Sequence, residues 1–343
     1  IAQADFKQTD VLRQTDVKYN YTNLFPKANF IYKFNANSRF NINYNGNTRQ
    51  PTIEQIQPIR DNTNTLNIAI GNPNLKQEFR HQFNINFNSY KVLKQRGFYT
   101  YASFSTTTNS ISTNETTVVG GSSVGTRTYQ YVNLNGNYNG NTGGGYNFKI
   151  KKIDLSFNMG FNASVFRNNN IVSTLNNNVL SSLRNRTDNN SFGINFGTYK
   201  YKEKKYDINY YTQISYNTST STVNQSVKTN YLTHNHNIYL NVTLPHRFEM
   251  NTNVEAGFRQ KTNLFSGNNN VIIWNAYIGR KMFKNDKGLI SIRANDILDK
   301  NIGYSRYINS NIIREESYQT LRRYFQLSFT WNFSKNPGGS SMP

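Results

Sequence analysis

The chain has 343 residues, with 39 lysines and arginines against 18 aspartates and glutamates, a net charge of +21 and no cysteine. The missing cysteines exclude a disulfide framework and a thiolate metal site. No run approaches the roughly 18 apolar residues of a membrane helix, which excludes a helical membrane protein but not a membrane β-barrel, because half of every barrel strand is polar.

Residues 1–24 read as a segment like an extracellular loop, without the basic and then apolar stretch of a secretory leader; for an exported protein this implies a processed or truncated chain. Strands follow, each marked by alternation of apolar and polar residues. The first spans about 25–35, with Phe30, Tyr32 and Phe34 on one face, and the second about 39–48, with Phe40, Ile42 and Tyr44. After a polar excursion over 49–77, a third spans about 78–90 and sets Phe83, Ile85 and Phe87 against Gln82, Asn84, Asn86 and Asn88. Long strands are expected over 97–118 and 127–149, joined by a loop at Gly120-Gly121. Gly143-Gly144-Gly145 lies inside the second of these and, with no Lys-Ser/Thr after it, marks a bend or a close backbone approach rather than an anion site. Another strand spans about 153–167, where Leu155, Phe157, Met159 and Phe161 alternate with Ser156, Asn158, Gly160 and Asn162. Further strands lie near 187–200, 206–220, 228–244, 246–262, 270–283, 288–298 and 318–333, the last ending on Phe325, Leu327, Phe329, Trp331 and Phe333. No helical segment or separate second domain is evident. Residues 25–333 are thus a transmembrane antiparallel β-barrel of about 13–14 strands, and 334–343 are a tail. Such barrels usually have an even number, so an odd count means either that residues 1–24 hide part of a strand or that the chain is part of a larger barrel, of about 22 strands.

Asparagine makes up roughly one residue in six. It favours turns and left-handed positions, whereas the abundant Tyr and Phe favour strands. Short links at 35–38, 91–97, 151–152, 201–205, 245–246 and 284–287 alternate with long ones near 49–77, 119–126, 168–186, 220–227, 263–269 and 299–317. Short turns on one side and long loops on the other are the pattern of an outer-membrane barrel, with the short turns toward the periplasm. The basic residues gather at strand ends and turns, such as Lys91, Lys94, Lys151, Lys152, Lys204, Lys205, Lys284 and Lys287. They fit rings facing lipid phosphates and form no nucleic-acid motif, so nucleic acid is not an expected partner. The polar faces should look inward, with Glu249, Glu255, Arg259, Lys281 and Arg293 among the lumen charges.

The four histidines, His81, His234, His236 and His246, are too scattered for an evident metal cluster, and they lack partners in register for a Ser/His/Asp group. No acid/base pair or phosphate cradle appears, so neither enzyme activity nor a cofactor is expected.

Gly71-Asn72-Pro73-Asn74-Leu75-Lys76-Gln77-Glu78 resembles the Gly-Asn-Pro-x-Leu-x-x-Glu element of TonB-dependent outer-membrane receptors, especially the receptor-like barrel family. Leu24-Phe25-Pro26 with the strand after it, Arg49-Gln50-Pro51, Asn295-Asp296-Ile297-Leu298-Asp299-Lys300 and the aromatic end at Phe333 resemble further elements of its C-terminal barrel portion, over about 25–333. The resemblance implies an outer-membrane transporter of a Gram-negative bacterium for a nutrient or an iron chelate. It implies as partners an upstream plug domain, a periplasmic energy-coupling protein, and outer-membrane lipid and lipopolysaccharide. The alternative is a barrel acting as a scaffold or partner-binding subunit of an outer-membrane complex with other subunits. Glu78 is expected to pair with an arginine. The long loops carry Arg60, Tyr304, Arg306, Tyr307 and Arg314, whose stacking and donor capacity suits capture of a polar ligand or partner.

If the apolar faces meet lipid, Phe157→Arg or Phe329→Arg should destabilise the barrel by about 2–4 kcal/mol near mid-membrane. Equilibrium unfolding from lipid vesicles measures this, and a cost near zero at both positions would refute the lipid-facing assignment.

Overall fold

The computed structural model describes residues 1–10, 15–58, 60–61, 67–120, 124–225, 228–262, 270–309 and 312–333. In chain order the strands begin with β1 (Ala2–Asp10), β2 (Thr15–Asn23), β3 (Lys27–Asn35) and β4 (Ser38–Arg49). After a one-turn helix, α1 (Ile53–Ile56), come β5 (Arg60–Asp61), β6 (Asn67–Ile70), β7 (Glu78–Lys91), β8 (Arg96–Thr108), β9 (Ser110–Val118), β10 (Arg127–Leu134) and β11 (Asn137–Ile150). Next are β12 (Leu155–Asn176), β13 (Val179–Lys202), β14 (Tyr206–Ser221), β15 (Thr229–Thr243), β16 (Phe248–Arg259), β17 (Val271–Met282) and β18 (Gly288–Asn295). The last are β19 (Gly303–Asn309), β20 (Ile312–Tyr318) and β21 (Tyr324–Trp331).

Thirteen of these form one rolled antiparallel sheet in the order β3-β4-β7-β8-β11-β12-β13-β14-β15-β16-β17-β18-β21. They are the thirteen strands expected from alternation. Among the described residues no register joins β3 to β21, and β3 is exposed along its whole length. Both strands run from the long-loop rim toward the short-turn rim, because each is antiparallel to a neighbour running the other way. A direct β3–β21 seam would therefore be parallel, and an all-antiparallel closure needs an odd number of strands between them.

Which face is which follows from burial. Among the described residues only Ile56, Ile68 and Leu75 are buried apolar side chains, and all three lie at the long-loop rim. The large apolar residues of the sheet instead form one continuous face with nothing of the protein over it. Ile278 opposite Ile292 opposite Leu327, and Ile290 opposite Phe329, carry that face across three strands; Leu327 is 72% exposed. A water-soluble fold would bury such a face against a second layer, so lipid is its cover. The other face is polar.

Glycines let that polar face pack closely. A Cβ built on Gly145 would stand 2.7 Å from the Tyr99 hydroxyl, and one on Gly143 2.8 Å from the Tyr101 ring. The two tyrosines on β8 lie across the neighbouring β11, which is the close approach expected of the glycine triplet.

The structure corrects the expected links at the long-loop rim. The segment 168–186 is not a loop: β12 and β13 stay paired as far as Asn176 opposite Val179. The two-residue turn at Asn177-Asn178, with φ of 45° and 66°, suits a hairpin whose central residues both need positive φ. Apolar alternation fades here because the hairpin has left the lipid, while its backbone ladder continues. The excursion 49–77 contains α1, so one helical turn exists where none was expected, and 299–317 holds the β19–β20 hairpin. The strands expected over 97–118 and 127–149 are each broken, at Asn109 and at Asn135-Gly136. There the two-stranded ribbon turns over. Its register continues from Thr107 opposite Asn137 to Ser110 opposite Leu134, but its edges exchange neighbours. Below the break β8 pairs with β7 and β11 with β12; above it β9 pairs with β12 and β10 with β6. Left-handed Asn109 (φ 52°) and Gly136 (φ 98°) supply the sharp change of direction. The loop 263–269 and the tail 334–343 lie outside the described residues.

Gly145→Val should destabilise the sheet by about 1–3 kcal/mol through overpacking, and adding Tyr99→Ala should restore part of the loss. Urea unfolding in vesicles would report both; an unchanged midpoint for the single variant would show that the tyrosine does not hold this place.

Candidate functional site

The polar face is a wall of amides, hydroxyls and phenols. Cross-strand pairs set Asn43 opposite Asn84, Asn41 opposite Asn86 and Asn147 opposite Asn158. Uncharged amides can both donate and accept, so such a wall keeps water or a polar solute hydrogen-bonded without fixing a charge. The five charges expected in the lumen all fall on this face. Glu249, nearly buried, takes Lys281 Nζ at 2.7 Å and accepts the Tyr277 hydroxyl at 2.5 Å. The Arg293 guanidinium lies over the Tyr277 ring at 4.6 Å, and that of Arg259 over Tyr231 at 3.9 Å. Glu255 accepts a hydrogen bond from Asn253 at 2.9 Å. Most of this charge is thus partnered within the wall.

His234 and His236 face the other way, on the apolar side. Their ring nitrogens are 3.1 Å apart, Tyr210 is hydrogen-bonded to His236 at 3.0 Å, and His234 stacks on Phe258. Tyr44 and His81 make a like pair at 3.0 Å.

At the long-loop rim the Gly-Asn-Pro segment is a latch. Gly71 passes so close to α1's end that a Cβ would sit 2.0 Å from the Gln57 carbonyl oxygen, so no larger residue fits. The Asn72 amide N–H donates to the Gln55 carbonyl at 2.6 Å, and its side chain donates to the Tyr131 carbonyl at 2.8 Å. Its side-chain oxygen also accepts from the Asn74 N–H at 2.9 Å, closing a local turn. Leu75 is buried, as are Ile56 and Ile68. Glu78 then takes Arg49 Nε at 3.1 Å, the arginine partner expected for it, and the Ile111 N–H at 2.5 Å. The segment therefore ties α1, β9 and β10 to the start of β7. Asp296 does similar work before β19: buried, it accepts the N–H groups of Lys300 and Asn301 at 3.0 and 2.9 Å.

Of the candidate capture residues, four lie on the β19–β20 hairpin, a two-stranded sheet of its own. Tyr304 donates to Glu315, and Arg314 is ion-paired with Glu316. The positions of Arg306 and Tyr307 are opposite Glu315 and Arg314 in the ladder, but their side chains lie outside the described residues. Arg60 belongs to β5, paired with Ile70 of β6; its side chain is likewise outside the described residues. The backbone therefore gathers four of the five on one projection and sets Arg60 on another.

What sequence reasoning missed is the polar core of the β12–β13 projection. Asn185, fully buried, donates to Asn170 at 3.0 Å and accepts from the Ser221 hydroxyl at 2.8 Å. Ser173, also fully buried, donates to Asn114 at 2.9 Å. The signal lay in the Asn and Ser run itself, which reads as loop composition until the register stacks it.

The model of the outer membrane protein β-barrel family matches residues 2–182 and again residues 133–331. One solved structure, the outer membrane transporter YddB from Escherichia coli, is similar at 7% identity with a TM-score of 0.23, over 96% of this chain and 72% of that one. Comparison with curated proteins gives no match. With its family model covering nearly the whole sequence and its uncovered apolar face accounted for by lipid, this chain belongs to the outer membrane protein β-barrel family.

Proposed function

We propose that the chain is the wall of an outer-membrane uptake barrel of the TonB-dependent receptor kind, carrying a nutrient or an iron chelate. The observation that carries this reading is the polar inner face, thirteen strands wide, set between two unlike rims. Six short turns bound one rim, and paired extensions bound the other. An amide-rich wall suits passage, because a solute can exchange hydrogen bonds along it and no single charge traps it.

In this reading the short turns face the periplasm, and a plug domain with its energy-coupling protein acts from that side. The like-directed edges β3 and β21 admit an odd number of further strands, which agrees with a barrel of about 22. The β19–β20 hairpin, carrying Tyr304, Arg306, Tyr307 and Arg314, projects from the outer rim as the capture element. Its base is held by the Thr320 hydroxyl donating to the Asn301 carbonyl at 2.9 Å and by the Arg323 N–H donating to Asp299 at 3.2 Å.

That base makes a clean deletion available. Replacing 304–317 by Gly-Gly joins Gly303 to Tyr318, which are register partners already. Cells carrying this deletion should take up the substrate several-fold more slowly, with the barrel still assembled in the outer membrane. Uptake at the wild-type rate, with correct assembly, would remove the hairpin from the mechanism; no uptake defect on deleting the whole gene would remove transport.

A further inference from the structure

Near the short-turn rim, six inward positions on consecutive strands read Tyr90, Gly97, Asn147, Asn158, Gly197 and Tyr211. The row is close to symmetric, aromatic and small at each end with two amides at the centre. Small residues keep it open. A Cβ on Gly97 would stand only 3.0 Å from the Tyr90 ring, and one on Gly197 would be in ordinary contact with the Tyr211 ring at 3.6 Å. In the middle, the Asn158 side-chain amide donates to the Asn147 side-chain oxygen. That bond uses one hydrogen of Asn158 and one lone pair of Asn147, leaving the rest of both amides for another partner. One row nearer the turns, Lys149, Ser156, Tyr199 and Asn209 are opposite one another. Tyr199 also stacks parallel to Tyr201, with centroids 6.4 Å apart. These two rows, Gly97 apart, line a cavity of about 480 Å³, within the usual range for small-molecule sites. The rings of Tyr90, Tyr199 and Tyr211 are all exposed to it or beside it.

The chemistry of the lining selects among ligands. Its one cation among the described residues, Lys149, is already held by Asp154 at 2.5 Å, so an anion gains little. Among the described residues no carboxylate lines the cavity, so a cation would gain only the faces of the tyrosine rings. A wholly apolar ligand would strip water from the amides without replacing their hydrogen bonds, which is costly. What remains is a neutral molecule with flat apolar C–H surfaces for the rings and many hydroxyls for the amides. From this trough we infer that the barrel binds a short neutral oligosaccharide at Tyr90, Asn147, Asn158, Tyr199 and Tyr211. The inference names a substrate class for the uptake reading, and as transport it rests on that reading.

Binding is tested on the full-length protein, extracted from the outer membrane into detergent micelles, by saturation-transfer NMR and titration calorimetry. The probes are maltohexaose, cellohexaose and xylohexaose, with hexagalacturonate as the anionic counterpart and an uncharged hexapeptide as the non-sugar. At least one neutral hexaose should bind, and the anion and the peptide should not. Tyr211→Ala and Asn158→Ala should each weaken binding at least tenfold, whereas Tyr211→Phe should leave it within about twofold, since the ring is retained. Wild-type protein that binds none of the three sugars at millimolar concentration would overturn the site. So would binding that is indifferent to both alanine variants, or preference for hexagalacturonate or the peptide. Sugar binding that needs Tyr211 and Asn158, in cells that show no uptake, would uphold the site and overturn transport alone.

Discussion

The structure depends on one requirement: in lipid, every backbone N–H and C=O must find a partner within the protein. The ladder of registers supplies those partners from β3 to β21. It frees the side chains from building a core, which is why the described residues bury only three apolar side chains. Phe325, Leu327 and Phe329 are exposed because hydrocarbon, not protein, covers them. The same requirement bears on the edges of the sheet. Among the described residues the outer edges of β3 and β21 have no register partner, and their common direction means that an all-antiparallel closure takes an odd number of strands between them.

With the apolar residues committed outward, the inner face is free to be polar, and its packing uses a different device. Glycines on one strand make room for tyrosines on the next, as Gly143 and Gly145 do for Tyr101 and Tyr99. A flat ring laid across a bare strand covers backbone without adding charge. Where charges do occur, as at Glu249 and Lys281, they are set against each other and against a phenol. Of the chain's net charge of +21, much sits on the short turns. Lys151, Lys204 and Lys284 stand on these turns, where cations suit lipid phosphates.

Beyond the membrane the apolar rule lapses, and hydrogen-bonded side chains take over as the source of order. Asn185, Asn170 and Ser221 make a buried polar cluster of a kind usually reserved for small, fully satisfied networks. The ribbon that turns over at Asn109 is held in the same way: its N–H donates to the Asn135 side chain at 2.7 Å, and Asn133 donates back to the Asn109 carbonyl at 2.7 Å. Asparagine suits both tasks, since its side chain imitates a peptide group and its backbone tolerates positive φ. The high asparagine content therefore serves the wall, the turns and the projections alike.

The sequence by itself determined the thirteen membrane strands, their two faces and the inward charges. Period-two alternation is a local property, and lipid enforces it at every strand. It also located the close approach at Gly143-Gly145 and gave Glu78 an arginine partner, which the structure identifies as Arg49. Residues 168–186 were illegible as strand because a projection outside the lipid needs no apolar alternation, and its pairing is carried by backbone groups that every sequence has. The exchange of neighbours at Asn109 and Gly136, and the trough between Tyr90 and Tyr211, were decided only by the tertiary structure. Both rest on registers between strands, and a register leaves no mark on either strand alone.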